Sequence, residues 1–409
     1  MKRLANTSRA ARRSLPQRML KRLIVPSSDA PKNSGWKQWF EHLQGNNVAK
    51  MKELQSSLMK DLKIDGEFHN ELLMGEINQW HFRNDRATIA TPTLLLHGYA
   101  ATSMAFYRNF SGLSKYIKDL YAIDLPANGL SSTLPLDIHY PRALPLKVKI
   151  KDDHFRLPYT IDAMHNKCLI QNFEDYYLDA LEQWRIDNKL DQINIVAHSF
   201  GGYLSFKYAV KYPHSVKKLC LVSPLGVERS IYSINNQWRS NMNYRIDYDN
   251  PSSKFYCKKM APIPKIIFEN QTRLLRCLGP LGAKLCWNYI TAAYSRVPGD
   301  KYKEYIFELF YSKTGITSTA MDIFTSLFER NLLAKDPLLD AVCHLHTDSL
   351  MAIYGEHDWM NKAAGFELIR EAEEKGIRAI YSEVVSSGHN LFLDNPLEFN
   401  SQVVDFLNE

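Results

Sequence analysis

No stretch of this 409-residue chain approaches the run of about 18 apolar residues that a transmembrane helix needs, so any membrane contact is expected to be peripheral. Cysteine is scarce as well. The six, Cys168, Cys220, Cys257, Cys277, Cys286 and Cys343, contain no C-x-x-C pair and follow no secretory pattern. That argues against a zinc site and against a disulfide framework, and fits a reducing compartment. Acidic residues are missing from the start: none precedes Asp29, whereas Lys2, Arg3, Arg9, Arg12, Arg13, Arg18, Lys21 and Arg22 crowd the same region. These eight account for the net charge of +7, and the rest of the chain is near neutral, which excludes a broad nucleic-acid-binding surface.

An acid-free, Arg-rich start with Leu15, Met19 and Leu23 at helical spacing reads as a mitochondrial targeting segment. The expected location is the matrix or the inner-membrane surface. The alternative is a solvated basic tail or an anchor on an anionic membrane, in the cytoplasm or at a lipid droplet.

Periodicity divides the chain into five parts. Residues 1–34 are the basic segment and a Ser/Pro/Lys linker. Residues 35–74 form an amphipathic helical region, with Trp36, Trp39, Phe40, Leu43, Met51, Leu54 and Leu58 apolar among charged neighbours. Its aromatic face suits either a membrane interface or packing on its own domain. Residues 75–224 alternate short apolar strands with helices, at 77–82, 93–96, 120–125, 193–198 and 216–222. Continuous apolar strands in a βαβα order predict a mostly parallel sheet covered on both faces, the α/β class. Residues 225–345 lack clean strands and hold helical stretches near 264–278, 302–311 and 321–333, an insertion placed as a cap. Residues 346–409 resume the core with strands at 350–354 and 377–384 and a closing helix. A second insertion, 133–168, is expected to be a surface loop.

Ser199 follows the buried-strand pattern Ile193-Asn194-Ile195-Val196-Ala197-His198 and precedes Gly201-Gly202 and a helix. A serine hydroxyl becomes a nucleophile when a tight strand-to-helix turn exposes it beside a base and backbone N–H donors. Ala197 stands where G-x-S-x-G carries its first glycine. Downstream, Asp358 lies in Gly355-Glu356-His357-Asp358-Trp359-Met360 and His389 in Ser386-Ser387-Gly388-His389-Asn390, each where a strand meets its following loop. The order Ser199, Asp358, His389 assigns nucleophile, acid and base. Glu356, two residues before Asp358, competes as the acid, and Asp358 is preferred. Phe200, directly after the nucleophile, and Tyr99, in His97-Gly98-Tyr99-Ala100-Ala101, are the expected oxyanion-hole donors through their N–H groups, with Ala100 next. His389 and Asp394 also make an H-x-x-x-x-D spacing, associated with acyl transfer to lysophospholipids. Asn395-Pro396-Leu397-Glu398 reads equally as the start of the last helix.

These segments, with Ile77-Asn78-Gln79-Trp80-His81-Phe82 and Ala122-Ile123-Asp124-Leu125-Pro126-Ala127-Asn128-Gly129, resemble the fungal branch of the α/β-hydrolase family over roughly residues 75–409. That branch includes a mitochondrial cardiolipin deacylase and an increased-copper-tolerance lysophosphatidate acyltransferase with its mitochondrial sister. The resemblance implies a phospholipid or lysophospholipid substrate, acyl-ester chemistry at Ser199, Asp358 and His389, and acyl-CoA as a possible co-substrate; no resident cofactor or metal is expected. Phospholipid deacylation is the leading expectation, lysophosphatidate acylation the first alternative, and a non-catalytic lipid-surface scaffold the second.

Overall fold

Uninterrupted apolar segments four to seven residues long lose their side chains from water only when neighbours cover both faces, and here they pair into one sheet. In the computed structural model, residues 21–24, 35–44, 47–136, 148–157, 163–312 and 315–409 are described. Most of the basic start, and residues 137–147 and 158–162 of the second insertion, lie outside them. Strands are numbered β1 to β11 along the chain. β1 (Glu67–Leu73), β2 (Ile77–Arg83), β3 (Thr93–Leu96), β4 (Asp119–Ile123), β7 (Ile193–His198), β8 (Val216–Val222), β10 (Ser349–Gly355) and β11 (Arg378–Val384) form an eight-stranded sheet in the order β1-β2-β4-β3-β7-β8-β10-β11. β2 is antiparallel to β1 and β4, and every other pair is parallel. The α/β class read from the sequence is therefore observed. β3 and β7, at the centre, are buried at every residue.

Two regions differ from the sequence reading. Residues 67–73 are a strand, not part of a helical region. The helical stretch ends at Lys60, Gly66 at φ 96° leads into β1, and a turn at Met74-Gly75 folds β1 back on β2. The side chains of β1 are almost all exposed, so no periodic burial marks it. The second insertion is more than a loop. Its strands β5 (Lys149–Lys151) and β6 (His154–Arg156) pair with β9 (Tyr244–Arg245) into a small sheet. Phe155 and Leu157 pack there against Ile231, Ile246 and Cys257, a satellite core that neither segment forms alone.

Between β8 and β10 the chain builds helices Lys265–Cys277, Gly279–Ala293, Lys301–Tyr311 and Ser318–Leu327. The second was not apparent as a separate helix in the sequence, and the last stops at Leu327, short of the expected 333. The N-terminal helices Gly35–Gln44 and Asn47–Lys60 lie on this layer. Gly35 approaches Pro280 so closely that a Cβ would overlap its carbonyl oxygen, and Gln55 Nε2 donates to Tyr305 Oη at 3.0 Å. Tyr305 also hydrogen-bonds Thr102 Oγ1 at 2.7 Å, which ties the cap layer to the loop after β3. No helix among the described residues is long and apolar enough to cross a membrane.

Candidate active site

β7 ends at His198 and the helix Phe200–Lys211 begins at Phe200, so Ser199 alone makes the turn. Its φ of 53° and ψ of −111° are unfavourable for an L-residue and persist only where surrounding bonds hold them. Ser199 N–H donates to Val222 O at 2.9 Å, and Ser199 O accepts from the N–H groups of Tyr203 and Leu225, each at 3.1 Å. The tight approach falls on Gly201, where a Cβ would overlap His97 O. Ala197 instead stays in strand register opposite Leu96 and Leu221 and is fully buried. The elbow needs its small residue after the serine, and the methyl before it is absorbed by the core.

His389 lies on the loop after β11. Its Nε2 is 3.2 Å from Ser199 Oγ and its Nδ1 is 3.2 Å from Asp358 Oδ1. Asp358 is buried, and Oδ1 also accepts Met360 N–H at 3.0 Å while Oδ2 accepts the Ser223 hydroxyl. Burial opposes the carboxylate charge, but His389 and these donors outweigh it and hold the carboxyl below its ordinary value. The three sequence-selected residues are thus brought into one hydrogen-bonded series.

The loop after β3 is fixed against the nucleophile. Leu125 N–H donates to His97 Nε2 at 2.8 Å, so the proton sits on Nδ1, which donates to Gly98 O at 2.7 Å. Burial lowers the His97 pKa and keeps this neutral tautomer. A Cβ on Gly98 would stand 2.9 Å from His198 Nδ1 and 3.1 Å from Ser199 Cβ, so the loop passes directly over the elbow. Phe200 is the first residue of its helix, and its N–H has no acceptor one turn back. Tyr99 stacks on Phe324 with centroids 3.8 Å apart and donates its hydroxyl to Gln271 Oε1 at 2.6 Å, both in cap helices. Ala100 adopts φ 56°, bending the loop just after Tyr99.

Glu356 and Asp394 do not reach the imidazole nitrogens. Glu356 Oε2 accepts Ser386 N–H at 2.8 Å, Glu398 Oε2 accepts Val385 N–H at 3.2 Å, and Asp394 Oδ2 accepts Gly388 N–H at 2.8 Å. Three carboxylates therefore each take one N–H of the loop that carries His389. The last helix is started by Asn395, whose side chain accepts from Glu398 N–H, with Pro396 next.

Two contributors were not recognised in the sequence. Ser223 is fully buried at the end of β8, and its only signal was a hydroxyl at the same sheet edge as Ser199 and Asp358. His198 donates from Nε2 to His389 O at 3.0 Å, with its ring 4.6 Å from the His389 ring and 4.8 Å from Phe392. Burial and the neighbouring His389 push its pKa well below the ordinary histidine value, so it acts as a neutral donor.

Residues 91–396 match a family described as alpha/beta hydrolase fold. The chain is 55% identical to Protein ECM18 of Saccharomyces cerevisiae, over 97% of this chain and 89% of that protein. It is 47% identical to 1-acylglycerol-3-phosphate O-acyltransferase ICT1 of the same yeast, over 89% of this chain and 94% of that protein. The solved structure of carboxylesterase CesB from Bacillus subtilis has a TM-score of 0.52 at 14% identity, covering 88% of this chain and 98% of its own, which shows the fold alone.

Proposed function

This chain belongs to the alpha/beta hydrolase fold family, and from that premise we propose that it is a serine-dependent acyl-ester hydrolase of mitochondrial phospholipids, cardiolipin or a lysophospholipid. The observation that carries the reading is the unbroken series Ser199 Oγ, His389, Asp358 at a strained strand-to-helix turn. His389 Nε2 takes the Ser199 proton as Oγ bonds to the ester carbonyl carbon, and Asp358 stabilises the imidazolium. The N–H groups of Phe200 and Tyr99 receive the oxyanion. Collapse breaks the ester C–O bond, the lysolipid alcohol leaves with the proton from His389, and water activated by the same imidazole releases the fatty acid.

Aromatic side chains that begin at Phe200, directly after the serine, suit an acyl chain: Tyr99, Phe200, Phe324 and Phe328 form one cluster of ring contacts. Exposed Trp36, Phe40 and Leu43 on the first helix lie on the same layer as exposed Leu278 and Leu281, and together they suit docking at a lipid surface. Ser199 itself is 8% exposed, so a lipid reaches it when cap elements part. The mitochondrial location rests on the basic start.

A second reading is favoured by one observation, the acyltransferase activity for which ICT1 is named: acyl-CoA donates the acyl group and lysophosphatidate replaces water as acceptor. Purified protein and its Ser199→Ala variant, given labelled cardiolipin or lysophosphatidate with acyl-CoA, test both. Free fatty acid that disappears in the variant supports hydrolysis, and product formed only with acyl-CoA supports transfer. Turnover that survives Ser199→Ala refutes the serine mechanism.

A further inference from the structure

Arg296, in the cap segment between the helices Gly279–Ala293 and Lys301–Tyr311, reaches across to the loop that carries His389. Its Nη1 donates to Ser386 O at 2.8 Å and to Asp394 Oδ2 at 3.1 Å, the same oxygen that accepts Gly388 N–H. That N–H belongs to the residue directly before His389. Arg296 is the cationic side chain that joins the cap to this loop, and it stays half-exposed, at 48%, while Asp394 is 14% exposed. Both contacts use Nη1, and no hydrogen bond of Nε or Nη2 is seen among the described residues. A guanidinium held by one nitrogen presents its other edge as a planar two-donor fork, the geometry that a phosphate or carboxylate accepts bidentately.

We propose that Arg296 is the specificity-determining residue for the lipid headgroup, binding the phosphate monoester of a lysophospholipid at the junction of the cap and the His389 loop, with Asp394 as the residue that positions it. This rests on the lysophospholipid reading of the site above. It gives the acid of the H-x-x-x-x-D spacing a task other than proton transfer. Asp394 sets the guanidinium and the Gly388 N–H on one oxygen, so headgroup recognition and the placing of His389 share a single carboxylate. The neighbouring Glu356 is committed to Ser386 N–H, on the peptide before the one whose carbonyl Arg296 binds. An uncharged headgroup gains nothing from the fork, so Arg296 separates phosphate-bearing lysolipids from monoacylglycerols by binding, not by chemistry.

The test is equilibrium binding by fluorescence anisotropy, with fluorescent lysophosphatidate and fluorescent monoacylglycerol below their micelle-forming concentrations, on the full chain carrying Ser199→Ala to stop turnover and on the same protein with Arg296→Gln or Arg296→Lys added. Loss of a charge-assisted bidentate pair weakens lysophosphatidate binding by roughly tenfold or more in Arg296→Gln, with partial recovery in Arg296→Lys and no change for monoacylglycerol. Equal loss on the charged and uncharged lipids overturns the proposal and makes Arg296 a structural fastening; no loss on either overturns it too. Binding is read without turnover, so the two readings fail separately. A wild-type protein that binds lysophosphatidate through Arg296 but converts no lipid would remove the proposed reaction and leave the headgroup site standing.

Discussion

Ser223→Ala removes one of three donors to a carboxylate that has no water to replace it. Asp358 accepts from His389 Nδ1, Met360 N–H and Ser223 Oγ, and Ser223 is wholly buried. A hydrogen bond to a charged group contributes roughly 1.5–3 kcal/mol, and the deficit is largest when the imidazolium forms and Asp358 must carry full charge. That corresponds to a fall in kcat of roughly ten- to a hundredfold. KM should hardly change, because a fully buried hydroxyl touches no substrate. The assay is p-nitrophenyl butyrate hydrolysis across pH, beside a thermal unfolding curve to show that the variant is folded. The acid side of the profile should move upward, since the donor that helps hold the Asp358 carboxyl below its ordinary value is gone. A depressed carboxyl pKa stabilises the fold above the unfolded value and loses that contribution as pH falls, so the stability deficit of the variant should shrink toward acid. A folded Ser223→Ala protein with wild-type kcat and an unmoved acid limb would refute the argument that this hydroxyl supports the Asp358 charge.

Glu174, buried beside Lys207, Asp336 and the Tyr203 hydroxyl, is raised from 4.5 to about 7, first by burial, so the folded state holds its proton more tightly and stability falls as pH rises through that window. Glu174→Gln should flatten the dependence, gaining at pH 8 roughly 3 kcal/mol, or about 4 °C in Tm for a chain of this size; parallel wild-type and variant curves between pH 5 and 8 would contradict it. Gly201→Ala should abolish ester hydrolysis and lower Tm by several degrees, because its Cβ meets the His97 carbonyl and not a side chain that can swing away; a folded, fully active variant rejects the packing account. Trp36→Ser with Phe40→Ser should weaken binding to cardiolipin-containing vesicles at least tenfold at roughly 1.5–3 kcal/mol per side chain, with soluble-ester hydrolysis unchanged, and undiminished vesicle flotation would remove that helix from the lipid surface.

The central strands were legible because their burial is written as continuous apolar runs, as in Leu219-Cys220-Leu221-Val222, and because a strand buried on both faces has no other pattern available. β1 was not, because an edge strand with exposed side chains has neither an apolar run nor alternation to show. Phe155 and Leu157 gave no signal either; they are buried by Ile231, Ile246 and Cys257, which lie some 75 to 100 positions away in the chain. At the site, Ser199, Asp358 and His389 could be selected because each combines a reactive side chain with a strand end and the three occur in a meaningful order. Ser223 and His198 act through one hydrogen bond each to partners 135 and 191 positions away, and a single serine or histidine carries no pattern from which such a bond is read.

The H-x-x-x-x-D spacing shows how one sequence feature admits two chemistries that geometry separates. An imidazole has two nitrogens. In this protein Nδ1 faces Asp358 and Nε2 faces Ser199, so His389 has no third position for a proton-sharing carboxylate. Asp394 acts instead on the N–H of Gly388, the residue before the histidine, and on Arg296. On the proposed reading, whether an acyl group ends on water or on a lysolipid hydroxyl depends on which acceptor reaches Ser199, since the same imidazole would deprotonate either. The acid that the spacing brings into the region bears on that choice through what it holds in place: the loop carrying the base, and a guanidinium at the rim.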